Sequence, residues 1–92
     1  MNVRQSIREA KRSPYPRVYA DFNNADGGGR LRLNCQGTHK DVERQQIELK
    51  EGMKIIAYME DIECLATVTS SAKEQMWVAE INWNEIRDPS EG

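Results

Sequence analysis

From residue 17 onward, apolar and polar positions alternate with a period of two. In RVYADFN, Val18, Ala20 and Phe22 share one side, and Arg17, Tyr19, Asp21 and Asn23 share the other. In RLRLNC, Leu31, Leu33 and Cys35 alternate with Arg30, Arg32 and Asn34. Three later segments repeat the pattern: MKIIAYM aligns Met53, Ile55, Ala57 and Met59; IECLATV aligns Ile62, Cys64, Ala66 and Val68; WVAEINW aligns Trp77, Ala79, Ile81 and Trp83. Strict alternation marks a strand with one buried face. Five strands are therefore expected.

Turn chemistry suggests how they pair. Asp26-Gly27 is a favoured hairpin dipeptide. A two-residue turn there sets Phe22 opposite Leu31, Ala20 opposite Leu33 and Val18 opposite Cys35, with Asp21 meeting Arg32 on the other face. A turn at Glu60-Asp61 sets Met59 against Ile62, Ala57 against Cys64 and Ile55 against Ala66. A turn at Ala72-Lys73 sets Val68 against Trp77, Ala66 against Ala79, Cys64 against Ile81 and Ile62 against Trp83. A slip of one residue would set apolar against polar throughout. The glycines of NADGGG thus read as a chain reversal. A phosphate loop would need a Gly-Lys-Ser/Thr triplet, and the sequence has none.

Between the second and third strands, THKDVERQQI reads as a short helix over 38–47, with Thr38 as its cap and Asp41 in its first turn. Residues 1–16 form an arm. Asn2 and Gln5 resemble a capping box, Val3, Ile7 and Ala10 fall at helical spacing, and Pro14 and Pro16 end the segment. The expected fold is mainly β: a five-stranded antiparallel small barrel, SH3-like in preference to OB-like, with one short helix between strands 2 and 3 and an N-terminal helical arm. The expected organisation is an arm over 1–16, a barrel over 17–86 and a polar tail over 87–92.

The face opposite the expected core is not uniformly polar. Ile56, Tyr58, Leu65 and Val78 fall there together, and an exposed apolar cluster points to a lid or a partner. The arm, the helix or a second subunit are the candidate covers.

Composition narrows the classes. The chain has 92 residues, 38% hydrophobic and 30% charged, which suits one small globular domain. No apolar run reaches the ~20 residues a membrane span needs. The N-terminal stretch lacks the apolar centre of a secretory signal, so a cytoplasmic location is expected. Cys35 and Cys64 read as reduced core thiols and not as a disulfide framework. The net charge of −2 divides unevenly: residues 1–40 carry eight basic and three acidic side chains, and residues 41–92 carry five and twelve. This asymmetry has two readings, a pair of solvated faces that attract each other in the fold or a bipolar surface that steers a partner.

Few residues offer chemistry. Cys35, His39 and Asp41 lie close in sequence, but zinc needs four converging ligands and a second pair is missing. The same Cys35 and His39 make a weak nucleophile and base, since a buried thiol resists ionisation. Glu60, Asp61 and Glu63 sit at a solvated loop, where nothing would shift their acidity. Trp77 and Trp83 share a face as a cage for a cation would, but their inner-face spacing along one strand favours core packing. The expectation is no catalysis, no cofactor and no metal. Arg17, Tyr19, Arg30 and Arg32 on the first hairpin, with the basic arm, form the alternative: a small barrel that binds nucleic acid.

The strings VYADFNNADGGGRLRLNC, IELKEGM and WVAEINW together resemble a family of short bacterial proteins of unknown function. The likeness spans residues 17–86 and implies no activity. The stretch from Glu51-Gly52-Met53 into the strand that follows is similar to SH3-type barrels, an implication for fold alone. The function expected is a non-catalytic binding or assembly module acting through a protein partner or self-association.

Overall fold

The computed structural model describes residues 14–88. The helical arm expected before Pro14 and the last four residues of the expected tail lie outside the described residues. Five strands form one sheet: β1 (Arg17–Tyr19), β2 (Leu31–Arg32), β3 (Lys54–Met59), β4 (Ile62–Ser71) and β5 (Met76–Ile81). Their order across the sheet is β1-β3-β4-β5-β2. One helix, α1 (Gln36–Gln45), separates β2 from β3, and a 3-10 turn at Trp83–Glu85 follows β5.

The meander of β3, β4 and β5 is the expected one. Ile55 pairs with Ala66, Ala57 with Cys64 and Met59 with Ile62. The two-residue reversal at Glu60-Asp61 holds even though Glu60 takes a left-handed conformation (φ 50°). The second hairpin is displaced from expectation by two residues. Val68 pairs with Ala79 and Ser70 with Trp77, and β4 runs on to Ser71. A two-residue slip preserves faces, so Trp77, Ala79 and Ile81 still turn toward the core, Ala79 within it and the other two packed against it. The extra length is held by Glu51, whose carboxylate accepts hydrogen bonds from the Thr69 hydroxyl and the Ser70 amide.

The first hairpin is corrected. β1 runs parallel to β3, with Val18 beside Ala57, while β2 runs antiparallel to β5, with Leu31 beside Ala79. The sheet is therefore mixed, and the two expected hairpin partners stand at its opposite edges. What remains near the glycines is a shorter reversal: Ala25 bridges Leu31, and Asn24 and Asp26 exchange backbone hydrogen bonds with Arg32 and Arg30. Residues 20–23 cross from one edge of the sheet to the other, carrying Ala20 and Phe22 into the core. The result is a curled sheet, a half-barrel with its inner face filled.

Val18, Leu31, Ile55 and Val68 are fully buried at its centre. Burying each side chain of this size contributes about 1.5–3 kcal/mol. Val42, Ile47 and Leu49 from α1 and the chain after it, with Met53, Trp77 and Ile86, pack around that centre.

α1 begins at Gln36, two residues before Thr38, with Cys35 at its N-cap, and the Thr38 hydroxyl does not cap it. That hydroxyl donates to the Tyr19 carbonyl instead (2.5 Å). The helix ends in a Schellman pattern: the Gln46 amide bonds the Glu43 carbonyl and the Ile47 amide bonds the Val42 carbonyl, with Gln46 left-handed. Gly37 lies inside the first turn, where the helix meets Tyr19. A Cβ there would stand 2.9 Å from Cδ1 and 3.0 Å from Cγ of the Tyr19 ring. Alanine is favoured over glycine in a helix by about 1 kcal/mol. Gly37→Ala is nevertheless expected to lower the midpoint of thermal unfolding, because the ring is held by neighbours; a raised midpoint would mean that it moves aside freely.

Candidate functional site

The site is assembled around the outer face of β1, β3 and β4. β1 is an edge strand, and an uncovered edge would leave its outward amides and carbonyls without partners. Three side chains of α1, spaced one turn or so apart, take those positions. Thr38 donates to the Tyr19 carbonyl, Asp41 Oδ2 accepts the Tyr19 amide (2.9 Å), and the Gln45 side-chain amide donates to the Arg17 carbonyl (2.7 Å). The helix thus stands where a sixth strand would.

Asp41 also ties the helix to the outer face. Its Oδ2 accepts the Tyr58 hydroxyl (2.5 Å), and its Oδ1 accepts Arg44 (3.0 Å). Burial works to raise the Asp41 pKa, but the bonds from Tyr58, Arg44 and the Tyr19 amide outweigh it and hold the carboxyl below its ordinary range. Burial and the same contact push the Tyr58 hydroxyl up. Tyr58 meets Tyr19 edge to face at 5.8 Å, and the Arg17 guanidinium lies 4.7 Å from the Tyr58 ring centre.

One strand further across, Glu63 is buried in a position that alternation makes outward. It is gripped from both sides: Arg17 bonds Oε1, and Arg87 bonds Oε2 through Nε (3.1 Å) and Nη2 (2.8 Å). Glu63 and Arg87 also exchange both backbone hydrogen bonds, at 2.9 and 3.0 Å. The Arg17 bond, assisted by Arg87, holds the Glu63 carboxyl below its ordinary pKa against the opposing effect of burial.

Beside this clamp lies the apolar part. Ile56 and Leu65 pair directly across β3 and β4, and Leu65 is 48% exposed. They line a shallow groove of about 180 Å3 with Glu63, Cys64, Glu85 and Arg87. Pockets for drug-sized ligands run from roughly 300 Å3 upward. This one has room for a side chain or two from a partner.

Of the expected apolar face, Ile56 and Leu65 therefore meet and Tyr58 stands next to them along β3. Val78 does not join them. It is fully buried, in register with Arg32 and Thr69 near the other edge of the sheet. Trp83 departs from the expected strand: it lies in the 3-10 turn, 46% exposed, with its indole nitrogen donating to the Gly29 carbonyl (2.8 Å) and its ring against Phe22. It cannot share a cage with Trp77. Cys64 is buried, and burial raises its thiol pKa.

The four residues of the nucleic-acid alternative are divided between the edges. Arg17 and Tyr19 lie on β1; Arg30 and Arg32 lie across the sheet. Arg30 is paired with Asp26, and Arg32 forms two bonds to Glu74, at 2.6 and 2.8 Å. The glycine loop is also occupied. Oδ1 of Asp26 accepts the Gly28 and Arg30 amides, the donors that a bound phosphate would need.

Sequence reasoning gave Thr38 the role of helix cap and Glu63 that of a solvated loop carboxylate, both of which the structure corrects, and it passed over Arg87. The available signal was Glu63 itself, a charge set within a strand between apolar neighbours, which requires a partner. Both depressed carboxylates, Asp41 and Glu63, contribute stability that is complete above the ordinary carboxylate pKa of about 4 and is lost as pH falls through and below it. Urea unfolding across a pH series is expected to show this acid-side decline, flattened in Asp41→Asn and Glu63→Gln. Asp41→Ala is expected to cost about 3 kcal/mol at neutral pH, since it strands the Tyr19 amide and the Tyr58 hydroxyl.

No protein-family model matches the chain, nor does any curated protein or solved structure.

Proposed function

We propose that the chain is a non-catalytic binding or assembly module that docks protein through the Ile56–Leu65 face. The observation that carries this reading is Leu65, nearly half exposed and paired with Ile56 on a sheet face. Burying such a pair against a partner is the favourable step, and the surrounding Glu63, Glu85 and Arg87 supply a polar rim. A larger hollow, about 410 Å3 at the end of the β4–β5 hairpin, is lined by Ser70, Ser71, Ala72, Gln75, Met76 and Trp77, none of them titratable. The side-chain carboxylates of Asp41, Glu63 and Asp26, each buried, are engaged by structural bonds. In fold, the SH3-like reading, with OB-like second, rests on the curled β3–β5 meander. The nucleic-acid alternative has less support, because Arg30 and Arg32 are bound to carboxylates and lie away from Arg17.

Self-association is the form of this reading that the isolated protein tests directly. Sedimentation equilibrium from micromolar to millimolar concentration is expected to show the wild-type mass rising above the monomer. Leu65→Asp should remain monomeric with an unchanged unfolding midpoint, since the side chain is already half in water. A wild-type mass that stays constant over that range would overturn self-association through this face.

A further inference from the structure

Asp26-Gly27 joins a carboxylate to a residue without a side chain. A glycine gives the main chain the freedom to swing its amide nitrogen toward the preceding carboxyl carbon, and it puts no bulk in the way. Here Gly27 is exposed, and a Cβ on it would meet nothing within 4 Å. No neighbouring group crowds the Gly27 α-carbon.

The carboxylate is held. Oδ1 accepts the Gly28 amide at 2.9 Å and the Arg30 amide at 2.8 Å, and Oδ2 accepts Arg30 Nε at 2.9 Å. The Asp26 side chain is only 5% exposed. The Arg30 amide bond, opposed by burial and assisted by Gly28 and the guanidinium, keeps the carboxyl below its ordinary pKa. An ionised carboxylate with both oxygens engaged is a poor target for a nucleophile, because one oxygen must leave as water.

We propose that Asp26-Gly27 is a latent site of succinimide and isoaspartate formation, kept closed in the folded protein by the Arg30 clamp. In the reaction, the Gly27 amide nitrogen bonds to Cγ of the protonated Asp26 carboxyl. The nitrogen gives up its proton, one carboxyl oxygen departs as water, and a five-membered imide closes. Water then opens either imide carbonyl. Opening at the side-chain carbonyl restores aspartate, and opening at the main-chain carbonyl routes the chain through the side chain as isoaspartate. Water is the only reagent, and no oxidation occurs.

The site is placed where the change has structural consequences. Isoaspartate adds a methylene to the main chain between Asp26 and Gly27. The pairing of Asn24 and Asp26 with Arg32 and Arg30 brackets that bond, and so does the Gly29 carbonyl that holds Trp83. Lengthening the loop disturbs the cover over the β2 edge.

The test incubates the full chain at neutral pH and physiological temperature, in native buffer and in denaturing urea. After proteolysis, the peptide containing Asp26 is followed by chromatography and mass: isoaspartate separates at unchanged mass, and succinimide is one water lighter. Conversion in native buffer is expected to be about tenfold or more slower than in urea. Arg30→Gln, confirmed folded by circular dichroism, should accelerate native conversion several-fold. Gly27→Ala should slow conversion in urea. Trp83→Phe loosens the loop from the other side without touching the carboxylate, and should leave the native rate near wild type. Should Arg30→Gln fail to fold, Arg30→Lys, which keeps the charge without the fork, gives the same comparison. Native and urea rates that agree, or a folded Arg30 variant no faster than wild type, would overturn the proposal.

Discussion

A three-residue parallel strand at the edge of a sheet is weak by itself, and β1 persists because α1 completes it. β3 satisfies the groups of β1 that point inward across the sheet, while Thr38, Asp41 and Gln45 engage the Tyr19 carbonyl, the Tyr19 amide and the Arg17 carbonyl on the outward side. This arrangement sets the rest of the chain. With the helix against β1, the segment after Tyr19 cannot fold straight back on the strand. It crosses the half-barrel instead, burying Ala20 and Phe22 as it goes, and delivers Asn24–Asp26 to the far edge. There it covers β2 as the helix covers β1. Each edge of the sheet is closed by a piece of chain that is not a strand of it.

The same geometry explains what could be read from residues alone. The β3–β4 hairpin was legible to the residue, because alternation fixed the faces and the two strands abut a two-residue turn. The β4–β5 hairpin was legible in face but not in register. Residues 69–75, polar apart from Ala72, give no large apolar mark to separate strand from turn, and Glu51 bonds the extension of β4. For the first two strands, alternation identified Val18, Ala20, Phe22, Leu31, Leu33 and Cys35 as core; the first five are, and Cys35 is only half-buried at the start of α1. It said nothing about which strand each would lie beside. An inward face is the same whether the neighbour is β2 or β3, and an attractive turn dipeptide favoured the local partner over the distant one.

The missed parts of the face have a common cause. Thr38 and Asp41 carry good helix-start chemistry, and a sequence gives no sign that this chemistry will go to the backbone of β1, a strand earlier in the chain, instead of to the helix's own amides. Val78 and Glu63 occupy outward positions yet are buried. A half-barrel curls, so its outer face is not uniformly wet, and side chains of Arg17, Arg87 and Arg32 spread over parts of it. Period two predicts a side, and burial depends on what reaches across that side.

Glu63 gives the outer face its organisation. Arg17 opens β1 and Arg87 follows the last 3-10 turn, so the two ends of the described chain are fastened to one carboxylate in the middle of the sheet. Both guanidiniums remain more than half exposed, which keeps each ion pair modest in energy, while the carboxylate between them is nearly dry. The backbone pairing of Glu63 with Arg87 adds the directional part that the ion pairs lack. Ile56 lies beside Arg17 in register, and Leu65 is two residues beyond Glu63 on the same face. The apolar pair is thus framed by the residues that anchor both ends of the described chain. A surface laid on Leu65 would meet those anchors at its margin, which makes the clamp and the greasy pair one physical unit.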